Sequence, residues 1–329
     1  MKRIKKRFEN LIFSSVFRPY LSLYDIVGGI MISRTEKNGI SLKYFTFIMI
    51  FFFSLFFLLT GCSKKELVDE SNSMDTKKET TDSKVVENEE PLVVAMELAY
   101  PPFETKDTAG NPSGISIDFA KAFGQSIGRE VKIVNTSWDG LIPSLQTGKV
   151  DMIVSSMTIT DSRSEVVDFS TPYANSLLGI LANKDSGIKN LDDLNQKGKK
   201  IAVKSGSTGF IFAKEQMNNA KIITLADESA CVTEVVQGKA DAFFYDQLTI
   251  YRNWLNNEDK TIAIFVPFQE KDRWGVAVRK GNSELLAQLN EFIPKFTAEG
   301  GFEMLTQKYL SDEKKAFEEL GFKWFFDLK

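Results

Sequence analysis

Histidine is absent from all 329 residues. A Ser-His-Asp or Cys-His triad and any imidazole metal site are thereby excluded, so catalysis would have to rest on carboxylates, lysine or a metal held by oxygen. An excess of positive charge is missing as well. A net charge of -3 and a pI near 5.4 supply no basic face for a phosphate backbone, and no nucleic acid partner is expected. Cysteine is scarce, with two in the chain. Cys62 closes a long apolar run, and Cys231 stands among Val232, Thr233 and Val235.

Residues 44–62 read YFTFIMIFFFSLFFLLTGC and carry no charge, and Lys43 precedes them. A cation, an apolar stretch and a small-residue site make a secretory signal. The length also nearly reaches the ~20 residues of a spanning helix, so a permanent anchor is the competing reading. Leu59-Thr60-Gly61-Cys62 resembles the lipobox of bacterial lipoproteins. That resemblance implies cleavage before Cys62, a thioether to diacylglycerol and often an acyl chain such as palmitate on the new amino group. The bilayer then becomes a partner through Cys62, and the chain beyond it sits lipid-anchored on the extracytoplasmic face of the cell membrane. With Cys62 lipidated, Cys231 has no disulfide partner and reads as a small buried apolar residue.

Residues 1–61 form the leader; Arg18, Pro19 and Asp25 interrupt 1–30 so that no clean span can be drawn, and its position upstream of a complete signal suggests that translation starts later, near Met31. Residues 62–91 are rich in Lys, Glu, Asp, Ser and Thr and read as a flexible stalk. Order is expected from Leu92. Strands are predicted at 92–96, 131–134, 150–155, 177–182, 201–203, 222–225, 240–245 and 274–278. Helices are predicted at 117–127, 138–147, from Asp161, and at 191–194, 208–217, 228–237, 247–256, 284–299 and 301–309. Residues 107–114 read as a turn. Strands alternating with helices predict α/β architecture. The grammar restarts after 177–182, and a strand and helices remain after the second unit. A chain that crosses twice between two lobes follows, with a cleft between them.

The segments Trp138-Asp139-Gly140-Leu141-Ile142-Pro143-Ser144-Leu145, Ser155-Ser156-Met157-Thr158-Ile159-Thr160-Asp161-Ser162-Arg163 and Asp168-Phe169-Ser170-Thr171-Pro172-Tyr173 stand in order along the chain. They are joined by Tyr100-Pro101-Pro102-Phe103, Val203-Lys204-Ser205-Gly206-Ser207-Thr208 and Ala240-Asp241-Ala242-Phe243-Phe244-Tyr245-Asp246. Together they closely resemble the extracytoplasmic solute-binding proteins of polar amino acid ABC transporters, bacterial solute-binding protein family 3, over 92–310. The resemblance implies a two-lobed periplasmic-binding-protein type II fold, each lobe a mixed sheet flanked by helices, with a two-strand hinge near 175–177 and 271–274. Lobe 1 is expected at 92–174 plus 275–311, lobe 2 at 175–274, and a C-terminal extension of unassigned role at 312–329.

A free amino acid carries a carboxylate and an ammonium on one carbon, so a selective site needs a fixed cation, a fixed anion and dipoles. Arg163 is the candidate cation, because a guanidinium fork meets a carboxylate with two parallel bonds, and the family arginine of this string clamps the ligand carboxylate. A surface arginine pairing on a helix is the plainer reading. Asp246 matches the family aspartate that accepts from the ammonium, although an aspartate before Gln247 also caps a helix. Ser155, Ser156, Thr158, Ser207 and Thr208 lie in strand-to-helix turns that hold anions readily, and each turn could also be a simple cap. Tyr100 and Trp138 resemble the aromatic pair that sandwiches the ligand side chain, while most of the 27 phenylalanines are core. Glu97 and Lys204 are expected to choose the amino acid, by accepting from a side-chain donor and donating to a side-chain carbonyl. The Val-Lys-Ser-Gly string favours glutamine. The Ser155-Ser156 pair points to a basic amino acid as the second reading, and Glu97 departs from the aspartate usual in the family.

The expected function is a receptor that delivers a polar amino acid to an ABC permease, with no enzymatic activity, cofactor or metal. Two alternatives remain: an enzyme on the same scaffold, dehydratase-like, for which Glu97 is the acid or base at hand, and a ligand-sensing input domain.

Overall fold

The computed structural model describes residues 90–265 and 272–328, all within one compact unit. The leader, Cys62 and the stalk up to residue 89 lie outside the described residues.

The chain enters as β1 (Leu92–Met96), whose Leu92, Val94, Ala95 and Met96 are fully buried. A small hairpin follows, β2 (Thr105–Lys106) with β3 (Pro112–Ser113), closed by Asp107, whose Oδ1 accepts from the N-H of Ala109 and Asn111. The expected turn at 107–114 is the tip of that hairpin. Helix α1 (Ile115–Ser126) buries Ile115, Phe119, Ala120 and Phe123 on one face. Then come β4 (Val131–Asn135), α2 (Trp138–Gln146), β5 (Met152–Ile153), α3 (Asp161–Ser164) and β6 (Val167–Phe169).

The first crossing is β7 (Ala174–Ser176), leading into β8 (Leu178–Asn183), all six of whose residues are buried. The second lobe continues through β9 (Lys200–Lys204), α4 (Thr208–Gln216), β10 (Lys221–Leu225), α5 (Glu228–Val236), β11 (Ala242–Asp246), α6 (Gln247–Asn256) and β12 (Thr261–Ile264). The return crossing is β13 (Asp272–Trp274), followed by β14 (Ala277–Arg279), α7 (Ser283–Ala298), α8 (Gly301–Tyr309) and α9 (Ser311–Glu319).

Two mixed five-stranded sheets result, in the orders β4-β1-β5-β14-β6 and β10-β9-β11-β8-β12. In the first, β1 runs parallel to β4 and β5, and β14 runs antiparallel to β5 and β6. In the second, β9 runs parallel to β10 and β11, and β8 pairs antiparallel with β11 and β12. Strand β8 lies inside its sheet, which explains the apolar run from Leu178 to Ala182. Strands β7 and β13 pair antiparallel, Ala174 with Trp274 and Ser176 with Asp272, and form the two-strand link between the lobes. Cys231 is buried in the second lobe, where burial pushes its thiol up to about 12.

Several element expectations need correction. Residues 191–194 form a turn rather than a helix. Asp193 Oδ2 accepts from the N-H of Lys189 and Asn190, and Asn190 Oδ1 accepts from Asp193 N, so side chains take the bonds a helix would need. The strand expected over 274–278 splits at Gly275. There the chain leaves β7 for β5 and β6, and a Cβ on Gly275 would stand 2.9 Å from Ile159 Cδ1. Of 150–155, Met152–Ile153 is strand, Asp151 bonds Val93 at its near end, and Ser155 reaches the cleft at its far end. Strands β6 and β12 were not anticipated, whereas β7 falls at the hinge expected near 175–177.

The C-terminal segment is part of the core. Phe317, Trp324, Phe325 and Phe326 are buried with Phe103, Tyr251, Trp274 and Phe302 in a single apolar cluster.

Candidate functional site

The strand ends that face the crossing supply the cleft. Beyond β1 stand Glu97 and Tyr100, beyond β5 Ser155, Ser156 and Thr158, beyond β9 Ser207 and Thr208, and β11 ends on Asp246. This is the placement expected of α/β sheets, whose ligands collect outside the strand ends. One cavity of about 510 Å³, its open mouth included, is lined by these residues together with Trp138 and Arg163. Of the residues singled out from the sequence, Lys204 alone lies outside that lining.

Arg163 is buried at 7% exposure. Its guanidinium donates to Thr158 O at 2.6 Å and, across the cleft, to Gly206 O at 2.9 Å, and it lies 5.2 Å from the centre of the Trp138 ring. Burial lowers it to about 10, opposed by the Asp272 carboxylate, so it stays a cation at neutral pH. Asp272, on β13, is raised to about 6 by burial, against hydrogen bonds from Thr208 and Thr158 and the nearby Arg163.

Asp246 is both cap and lining residue. Oδ1 accepts from Leu248 N at 2.9 Å and Thr249 N at 3.1 Å, which starts α6. Oδ2 is buried beside the Tyr100 hydroxyl, which favours the charged form, but makes no hydrogen bond of good geometry with it or with any other described side chain. Burial raises this carboxyl above its ordinary range. A buried carboxylate oxygen left unsatisfied is costly, and a cationic donor entering the cavity would satisfy it.

The turns differ in how much of their polarity is already engaged. Ser207 accepts from Phe210 N at 3.1 Å and donates to Lys204 O at 2.8 Å, so its hydroxyl is a full helix cap. Ser155 Oγ accepts from Glu97 N at 3.0 Å. Ser156 sits at φ 46°, a left-handed conformation that a non-glycine residue adopts at a cost. Its hydroxyl donates to Glu104 Oε1 at 2.9 Å, and Ser116 donates to the same carboxyl. Glu104 is fully buried, and burial raises it to about 8 despite those two donors.

Glu97 and Lys204 meet each other across the cleft in a direct ion pair. Lys204 Nζ also lies 5.4 Å from the Trp138 ring centre. The ammonium expected to greet a ligand is thus engaged by the carboxylate expected to do the same. Tyr100 stacks on Phe103 at 5.2 Å and stands edge-on to Trp274 and Tyr245 at 6.1 and 6.3 Å, so the aromatic wall is a cluster rather than a pair. Among the described residues no group of three His, Cys, Asp or Glu side chains is placed to hold a metal, and no helix is long and apolar enough to cross a membrane.

The sequence reading missed Glu104, Ser176, Tyr245, Asp272 and Trp274, all of which line the cavity. Two carried a signal: Glu104 follows directly on the Tyr-Pro-Pro-Phe string, and Tyr245 precedes Asp246. Ser176, Asp272 and Trp274 sit on the crossing strands, which were read for motion and not for contact.

Residues 92–312 match the model of the bacterial extracellular solute-binding proteins, family 3. The chain belongs to that family. The L-cystine-binding protein TcyJ of Escherichia coli (strain K12) is 30% identical over 254 residues, which is 77% of this chain and 91% of the relative. The ABC transporter glutamine-binding protein GlnH of Bacillus subtilis (strain 168) is 28% identical over 276 residues, 82% of this chain and 98% of that one. A solved structure of an ancestral arginine-binding protein bound to glutamine is 34% identical with a TM-score of 0.61, over 68% of this chain and 98% of its own. The fold is the type II periplasmic-binding-protein fold, and these relatives of the family 3 chain are binding proteins rather than enzymes.

Proposed function

We propose that this family member captures a free polar amino acid between its two lobes and hands it to an ABC permease, tethered to the outer face of the cytoplasmic membrane through Cys62. The observation that carries the reading is Asp246 Oδ2, a buried acceptor with only the Tyr100 hydroxyl beside it, in the same cavity as the Arg163 guanidinium. One fixed anion and one fixed cation match the ammonium and carboxylate that every free amino acid presents. The hydroxyls of Ser156, Thr158 and Thr208 and the rings of Tyr100 and Trp138 complete the contact set, and Ser155 and Ser207 hold the turns that carry it.

Glutamine is the first choice of ligand. A side-chain amide can donate to Glu97 and accept from Lys204, whereas a cationic side chain must compete with Lys204 for the same carboxylate. Arginine or lysine is the second choice, supported by the further carboxyl of Asp272 in the lining.

The test is a thermal-shift screen of the detergent-solubilised chain against the twenty amino acids and cystine. A ligand at a hundred times its Kd adds about 2.7 kcal/mol of stability. Should none of them raise the melting temperature, the reading fails.

A further inference from the structure

The family match ends at residue 312, yet the chain beyond it is docked across both lobes and the strands that join them. On the joining strands, Asn175 N donates to Phe325 O at 2.6 Å, Asn175 Nδ2 donates to Asp327 O at 2.7 Å, and Phe325 stacks on Trp274 at 5.7 Å. On the first lobe, Phe326 stacks on Phe302 at 4.5 Å, Trp324 Nε1 donates to Thr306 at 3.1 Å, and Lys314 pairs with Glu303 at 2.7 Å. On the second lobe, Arg252 of α6 donates from Nε to Glu313 at 3.1 Å and from a terminal nitrogen at 2.5 Å, Phe317 meets Tyr251 at 5.6 Å, and Phe322 meets Phe265 at 5.0 Å. These contacts coexist with a cleft whose walls already touch, through Arg163 to Gly206 O and Glu97 to Lys204.

We propose that residues 313–328 form a strap that holds the lobes closed and thereby sets ligand affinity. A segment anchored on one lobe and on the crossing strands loses its contacts to the other lobe when the lobes separate. Contacts made in the closed form alone shift the equilibrium toward it by their differential free energy. The strap also backs the cavity wall. Phe325 lies against Trp274 and, at 5.4 Å, against Phe103, which stacks on Tyr100, so Phe325 is a positioning residue for two lining aromatics.

The test compares the wild-type full chain in detergent with three variants. Glu313→Gln and the double variant Glu313→Gln/Phe322→Ala cut the strap from the second lobe, and Lys314→Ala cuts a contact within the first. Deuterium exchange of segments 97–104 and 204–209 is followed without ligand, and Kd is measured by calorimetry with L-glutamine and L-arginine. The double variant is expected to exchange about ten-fold faster in both segments and to bind about ten-fold more weakly, equivalent to ~1.4 kcal/mol. Glu313→Gln alone gives about three-fold, which keeps the comparison intact if the double variant does not fold, and Lys314→Ala leaves both readouts at wild-type values. Unchanged exchange and Kd in the strap variants overturn the proposal, as does an equal effect from Lys314→Ala. The affinity arm rests on the amino acid reading. If neither amino acid binds wild type, that reading is in question while the exchange comparison still decides the strap.

Discussion

Asp246 caps α6 with one oxygen and, on the proposed reading, meets the ligand ammonium with the other, and the two roles can be separated. Asparagine caps a helix about as well as aspartate, so Asp246→Asn should keep α6 and the melting temperature nearly intact. The charge offered to an ammonium is lost. We expect ligand binding to weaken by about 1.5 to 3 kcal/mol, the range for a hydrogen bond to a charged group, as measured by calorimetry. Arg163→Ala should cost about 2 to 5 kcal/mol, because the ligand carboxylate is left unpaired in a closed cleft. Wild-type affinity in Arg163→Ala would show that the site is misassigned. Glu104 belongs to the same scale. Its folded value of about 8 exceeds the ordinary 4.5, so between those limits the unfolded chain binds fewer protons than the folded one. Its contribution to stability is complete below the ordinary value and fades as pH rises toward the folded one, by at most about 1.4 kcal/mol per pH unit. Melting temperature should therefore fall from pH 5 to 8, and Glu104→Gln should flatten that fall. Of these three groups, Arg163 and Asp246 were legible because each closes a motif with a stated chemical task. Glu104 was not, since a glutamate after Pro-Pro-Phe looks like any surface acid until the fold buries it.

At the scale of elements, the helices were the readable part. Helix α1 shows its apolar spacing plainly, and α6 begins at the aspartate that should begin it. Strand β6 was hidden for a physical reason: it runs three residues, too few for a period of two to show, and its partner β14 is distant in sequence. Close approach between elements is equally silent. Gly209 at the start of α4 faces the Phe244 carbonyl of β11, and a Cβ there would lie 2.4 Å from that oxygen. The contact brings the Ser207-Thr208 turn alongside Asp246. Gly209→Ala must push the helix off the strand, and we expect it to destabilise the protein by about 1 to 3 kcal/mol in urea titration, with weaker ligand binding. A glycine inside Ser-Gly-Ser-Thr-Gly does not announce which backbone it must approach.

For the whole molecule, the double crossing was foreseen because the strand–helix alternation restarts after 177–182 and leaves a strand and helices over after the second unit. The tail was not, because its aromatic residues have no meaning until Trp274, Phe302 and Tyr251 are placed around them. The leader belongs to this scale as well. If Cys62 carries lipid, its role is effective concentration at the permease rather than affinity. Cys62→Ser should then appear in the culture fluid or the soluble extracytoplasmic fraction, bind its amino acid as tightly as wild type, and support much slower uptake of the labelled ligand by cells.

Helix α6 gathers these contacts on one rigid rod about 15 Å long. Its first residue follows the carboxylate offered to the ligand, and five positions on, Arg252 holds both the Pro101 carbonyl and Glu313. A tilt of this rod moves its two grips together. If the proposed strap holds the lobes closed, α6 is a lever: a tighter grip at Arg252 would favour capture beside Asp246, and the arrival of an amino acid would in turn be felt at the tail.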